Sequence, residues 1–257
     1  MYLVKSCYKE DNIWQRRTLK VGTLTEYRDT EELQIADRHE GNIKLFFNLA
    51  NFHISQMLFN NLSNWVHSSG DSYITTLQFT LNNPFFPDYF FLSRYVVANS
   101  LTKHNRYIFC ISELTSAEKC KDIFEKYDDY WYLNSFKKYF FGDLLSKSVI
   151  NEVTRRMNEG EQLFYPPPKH GQLHVKWYSD RITYMPREVH VDNSKLYIDE
   201  NNILHCISQG HMIKPLEFAH EKEMRFIFDI FCDDELLHPL NKPLFVDAEE
   251  LLYLINK

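Results

Sequence analysis

Arg106-Tyr107-Ile108-Phe109-Cys110-Ile111-Ser112 is a nearly continuous apolar run, suited to a strand buried on both faces. The fold is read outward from it. On its N-terminal side, Tyr2–Cys7 is a short β-prone stretch. Leu19–Leu24 alternates apolar with small or polar residues into a turn at Glu26-Tyr27-Arg28. Asn42–Phe52 alternates Ile43, Leu45, Phe47 and Leu49, Met57–Val66 has the spacing of a short helix, and Tyr73–Leu81 alternates again. On its C-terminal side the period changes. Ser116-Ala117-Glu118-Lys119 reads as a helix start, and Ile123, Phe124, Tyr127, Leu144, Leu145, Val149 and Val153 recur at helical spacing, which predicts a helical insertion over residues 116–160. Tyr165-Pro166-Pro167-Pro168 closes it as a rigid connector. Strand patterns return at Leu173–Tyr178, Ile182–Met185, Lys195–Ile198 and Glu223–Phe231. The order strands, helices, strands predicts an α+β domain spanning 1–257, without the regular alternation of a doubly wound sheet.

Composition narrows the function. Of 257 residues, 44% are hydrophobic and 25% charged, a globular balance that excludes a disordered chain. The net charge of −6 argues against a broad basic face, while leaving a local positive cleft open. Only 7 glycines occur, and neither G-x-G-x-x-G nor G-x-x-x-x-G-K-[ST] is present, which sets aside Rossmann, kinase and P-loop readings. The 5 cysteines form no C-x-x-C, so neither a disulfide framework nor a thiolate zinc site is indicated. The start Met1-Tyr2-Leu3-Val4-Lys5 lacks the apolar core of a signal peptide, and no apolar run reaches the roughly 18 residues of a membrane span. A soluble, cytoplasmic protein is expected.

His170 and His174 are four apart but follow three prolines, and no H-E-x-x-H occurs; no metal site is expected. No D-x-K or E-x-K is present, which weakens a metal-dependent nuclease. Two segments remain. Gly22 to Glu32, continued by Ala36 to Gly41, crowds acids, Tyr27 and Arg28 after a strand: Arg28 offers a bidentate fork, Tyr27 a stacking face. A solvated turn with internally paired charges would show the same letters. In Phe218 to Phe228, a strand from Glu223 places Glu223, Arg225 and Ile227 on one face and Met224, Phe226 and Phe228 on the other. Glu221 is then expected to project with Glu223. An ordinary strand edge remains the alternative.

Together, Gly22-Thr23-Leu24-x-x-Tyr27-Arg28-x-x-x-Glu32 with Asp37-x-x-Glu40-Gly41, then Tyr107–Ser112, then His220–Phe226, resemble a family of uncharacterised bacterial proteins with an ADP-ribosyltransferase-like fold. Its relatives include the toxin of a phage-defence toxin–antitoxin–chaperone system. The likeness runs in order from Tyr2 to about Phe228, on short, degenerate motifs. It implies a split β-sheet around an NAD cleft and transfer of ADP-ribose to an acceptor. By this resemblance Glu223 is the final-strand catalytic glutamate and Glu221 its E-x-E partner. Ser112 braces the cleft, and Tyr27 stacks on nicotinamide. Lys5 stands where the first strand usually supplies Arg or His, a departure that replaces a fork with a point charge. Arg28, Arg225, Asp37 and Glu40 complete the expected cofactor wall.

The chemistry is compatible. Breaking the bond to nicotinamide develops an oxocarbenium ion on the ribose, which a fixed carboxylate at the 2′-hydroxyl stabilises. The implied acceptor is nucleic acid or protein, nucleic acid being favoured because aromatic surfaces stack bases without a high net charge. An antitoxin or chaperone is the implied regulatory partner, and no membrane is. The rivals are a catalytically silent interaction module on the same scaffold, and a nuclease.

Overall fold

The structure, a computed structural model, describes residues 1–29, 40–63, 88–102, 104–169, 171–194 and 199–257. Within these the strands are β1 (Tyr2–Cys7), β2 (Thr18–Thr23), β3 (Asn42–Ser55), β4 (Tyr89–Thr102), β5 (Tyr107–Leu114), β6 (Asp129–Asn134), β7 (Leu173–Arg181), β8 (Thr183–Tyr184), β9 (Glu188–Asp192), β10 (Ile213–Lys214), β11 (Glu223–Cys232), β12 (Glu235–Leu236) and β13 (Leu244–Asp247). The helices are α1 (Ile13–Arg16), α2 (Leu24–Asp29), α3 (Gln56–Ser63), α4 (Cys120–Ile123), α5 (Lys138–Asn158) and α6 (Glu200–Gln209). The expected strands at Tyr73–Leu81 and Lys195–Ile198, and His170, lie outside the described residues. The chain is α+β with a curled antiparallel sheet. No described helix is long and apolar enough to cross a membrane.

The chain divides into two units, where one domain is expected. The first comprises Met1–Glu40, Asn105–Thr183 and Glu217–Lys257. Its eight-stranded sheet centres on β5, in which every residue but the half-buried Cys110 is buried. One edge of β5 pairs with β11 from Tyr107↔Phe228 to Ser112↔Glu223. The other edge is divided: β1 pairs at Ser112, Glu113 and Leu114, β2 at Tyr107 and Ile108. Phe109, Cys110 and Ile111 lie between these two ladders, where β1 and β2 diverge. β6 extends the sheet beyond β1, β13 beyond β2, and β7 beyond β11.

The core lies against α5. Phe141, Leu145, Val149 and Val153 recur at helical spacing and are fully buried. Phe141 meets Phe226 at 5.4 Å and Phe109 at 5.8 Å between ring centroids. Gly142 lets α5 approach β7, because a Cβ there would drive into the Trp177 ring. The expected helical insertion over residues 116–160 is corrected: Asp129–Asn134 inside it is a strand of the main sheet, paired with β1 from Tyr2↔Asn134 to Cys7↔Asp129. Trp131 and Leu133 are buried while Tyr130 and Tyr132 are less so, a period of two hidden among consecutive aromatics.

The second unit comprises Gly41–His104 and Tyr184–Leu216. β3 pairs antiparallel with β4 and parallel with β9. Ile43, Leu45, Phe47 and Leu49 point into a core shared with Leu58 of α3 and with Ile203, Cys206 and Ile207 of α6. At Asn51 the backbone takes a left-handed φ of 50°, and beyond it the buried position falls on Ile54, out of phase with Leu49. That phase change ends the alternation read in the sequence at Phe52 while the strand continues to Ser55.

Candidate functional site

The site is built in the first unit around the divided edge of β5. β2 runs into α2, where the sequence reads as a turn. Thr23 Oγ1 accepts from Glu26 N at 3.2 Å, and Glu26 Oε2 accepts from Thr23 N at 3.4 Å. This is a reciprocal capping box, so Thr23-x-x-Glu26 starts a helix instead of a turn. Leu24 N and Thr25 N are bound by Arg106 O at 3.0 Å and Asn105 Oδ1 at 2.9 Å, which ties α2 to the start of β5. Gly22 is required beneath it. A Cβ there would lie 2.9 Å from Glu26 Oε2 and 3.3 Å from the Tyr27 ring, so only glycine lets Tyr27 lie across β2.

Tyr27 therefore points back over the sheet. Its residue surface is partly exposed, but its phenol is buried and shares a hydrogen bond with the Cys110 thiol, within electrostatic reach of Glu223 and Arg225. Burial first, then Cys110 and Glu223, hold that phenol well above the ordinary tyrosine range. The register explains the gathering: Ser112 faces Glu223 and Cys110 faces Arg225, so all four side chains share one face of β5 and β11.

On this face lies a buried ion cluster. Arg225 Nε donates to Glu223 Oε1 at 2.5 Å, and its two terminal nitrogens donate to Glu40 Oε1 and Oε2 at 2.9 and 3.0 Å. The side chains are 1% exposed for Arg225, 1% for Glu40 and 6% for Glu223. Burial works against the guanidinium charge, yet Glu223 and Glu40 overcome it and hold Arg225 protonated well above its usual value.

A cavity of about 430 Å³ opens at the gap between β1 and β2, lined among others by Lys5, Arg16, Lys20, Tyr8, Tyr127 and Tyr27. Lys5 reaches it from the opposite face. Val4 pairs with Ser112, so alternation turns Lys5 away from Glu223, and its Nζ lies 5.4 Å from the Phe109 ring centre and donates to Cys110 O at 3.0 Å. A β5 carbonyl between the two ladders is thus bonded by a side chain.

Several expectations change. Tyr27 and Glu223 do lie together, and Lys5 lines the gap. Arg225 and Glu40, expected on a cofactor wall, instead bind each other in the interior and do not line the cavity; nor do Glu223 and Ser112. Glu221 does not pair with Glu223 along a strand. It ends the 3-10 turn Leu216–Glu221, and Lys222 between the two acids takes a left-handed φ of 47°. Glu221 is 2% exposed as a residue. Asp37 and the Arg28 side chain lie outside the described residues. Sequence reasoning missed Cys110, whose signal was its place two residues before Ser112, and the cavity cations Arg16 and Lys20. Those two lie paired with Asp11 at 2.7 Å and Glu26 at 2.6 Å.

No family model matches the chain, and neither a curated protein nor a solved structure matches it.

Proposed function

We propose that this protein is an NAD-dependent ADP-ribosyltransferase-like enzyme, acting on a macromolecular acceptor. The observation that carries the reading is the divided edge of β5: a sheet parted between β1 and β2, a cavity at the parting, and Tyr27 joining that cavity to Glu223. In the proposed reaction the C1′–N bond of NAD breaks, its electron pair leaves with neutral nicotinamide, and the ribose passes through an oxocarbenium ion. An oxygen or nitrogen of the acceptor then bonds C1′ and releases its proton to solvent. Glu223 stabilises the developing cation, Ser112 braces the cleft, and Tyr27 supplies an aromatic face. Lys5, Arg16 and Lys20 supply positive charge for the pyrophosphate, the latter two by exchanging their present carboxylate partners. In this reading nucleic acid is the preferred acceptor class and an antitoxin or chaperone the regulator.

One observation favours a second reading. Glu223 is buried and bound to Arg225, which suits a catalytically silent module on the same scaffold. Purified protein incubated with labelled NAD and a cell lysate, then digested separately with protease and nuclease, decides between them. Label released by one digestion identifies the acceptor class, and Glu223→Gln is expected to lower labelling about 100-fold. Absence of both labelling and NAD consumption by the unaltered protein favours the silent module.

A further inference from the structure

We propose that Arg225 and Glu40 are positioning residues that set the orientation of the Glu223 carboxylate, an assignment that deepens the transferase reading and rests on it for its catalytic meaning. Glu223 opens β11, at the end of a strand whose preceding residue, Lys222, has left-handed backbone. A glutamate there has three side-chain torsions to fix, and the backbone restricts the first far more than the last, which turns the carboxylate. Arg225 lies two residues on along the same face, and its Nε takes Glu223 Oε1 at 2.5 Å. The planar guanidinium can orient a carboxylate only if its own plane is held. Glu40 holds it, with both oxygens on the two terminal nitrogens at 2.9 and 3.0 Å, across 185 residues of sequence. All three side chains are nearly inaccessible to water, so the orientation is not averaged by solvent. The order of control runs from Glu40 to Arg225 to Glu223. Tyr27 and Cys110 complete the surroundings on the same face.

A structural ion cluster would look the same in a melting curve, so the test separates position from stability. Two variants of the full chain serve. Arg225→Lys keeps the charge and loses the fork. Glu40→Gln keeps the fork bonded to Glu223 and loosens its far side. Arg225→Lys is expected to lower kcat about 100-fold, and Glu40→Gln about 10-fold, with KM for NAD within about 3-fold in both. Equal losses through KM, or an unchanged kcat in Glu40→Gln, overturn the assignment. A second measurement works without turnover. In protein labelled with 13C at the glutamate side-chain carboxyl, the Glu223 resonance is identified by its loss in Glu223→Gln. It is expected as one sharp line in the unaltered protein and as a broadened or split line in Glu40→Gln. A line unchanged by Glu40→Gln overturns the positioning role whether or not the protein consumes NAD. Inactivity of the unaltered protein with the expected line change removes the transferase reading alone.

Discussion

Arg155 on the outer face of α5 and Arg225 in β11 are each forked between two glutamates, and the two arrangements obey different physics. Arg155 bonds both oxygens of Glu152 at 2.8 and 2.9 Å and both oxygens of Glu159 at 2.7 and 2.8 Å. Its partners are three and four residues away along one helix, and its side chain is 55% exposed. Water competes for every one of those bonds and salt screens them, so the geometry stabilises little. Arg225 instead joins Glu223, two residues away on its own strand, to Glu40, 185 residues away in sequence, and none of the three groups is open to water. Removing one member there leaves charge stranded in the interior. Forked geometry alone is therefore a poor guide. Burial decides which cluster the fold depends on.

The largest expected effect breaks the buried member of that pair. Arg225→Met strands Glu40 and Glu223 and is expected to cost about 3–5 kcal/mol, or roughly 10 °C and more in melting temperature for a domain of this size. The triple variant Glu40→Gln, Arg225→Met, Glu223→Gln removes the charges together and is expected to recover most of that loss. If Arg225→Met melts with the unaltered protein, the interior cluster is no different from the surface one. The inward face of α5 comes next. Gly142→Ala drives a methyl group into Trp177 and is expected to cost about 1–3 kcal/mol by chemical denaturation, showing that packing governs this helix more than its outer charges do.

A third expectation concerns an intermediate pair. Arg156, bonded to Glu161 at 2.6 Å through two nitrogens, lowers the Glu161 carboxyl from 4.5 to about 2. A carboxyl depressed in the folded state stabilises fully above its unfolded value and loses that contribution as pH falls from about 4.5 towards 2. Melting temperature followed across that window should fall less steeply in Glu161→Gln. Parallel curves would mean that the pair is screened like the surface one. Smallest of all, Arg155→Ala should shift the melting temperature by no more than about 2 °C, and by less in high salt.

How much of this was legible depends on the distance between cause and residue. β5, β1 and the alternation of Glu223 and Arg225 against Met224 and Phe226 could be read because period two is local. Helix α2 was equally local, written in Thr23-x-x-Glu26, but its acids and arginine drew attention to charge instead of capping. β6 was obscured because Tyr130, Trp131, Tyr132 and Leu133 are all apolar or aromatic, so hydrophobicity does not alternate although burial does. The phase change at Asn51 depends on one left-handed residue, which sequence periodicity does not encode. The pairing of Glu40 with Arg225 was beyond any local pattern. Both residues were singled out, yet their charges suggested a ligand where the fold supplies each to the other.

The 185-residue separation of Glu40 from Arg225 also has a consequence during synthesis. At roughly 5–20 residues per second, about 10–40 s pass between the emergence of the acid and that of the arginine that neutralises it. β5 is likewise translated well before β11, so the strand that divides β1 from β2 waits with its other edge open. β1 and β6 can pair early, but the sheet cannot close until the β11 segment has left the ribosome. The nascent chain thus carries a carboxylate without its arginine through most of its translation and an open-edged strand through a shorter, later part of it, the interval in which a holdase would have the most to protect.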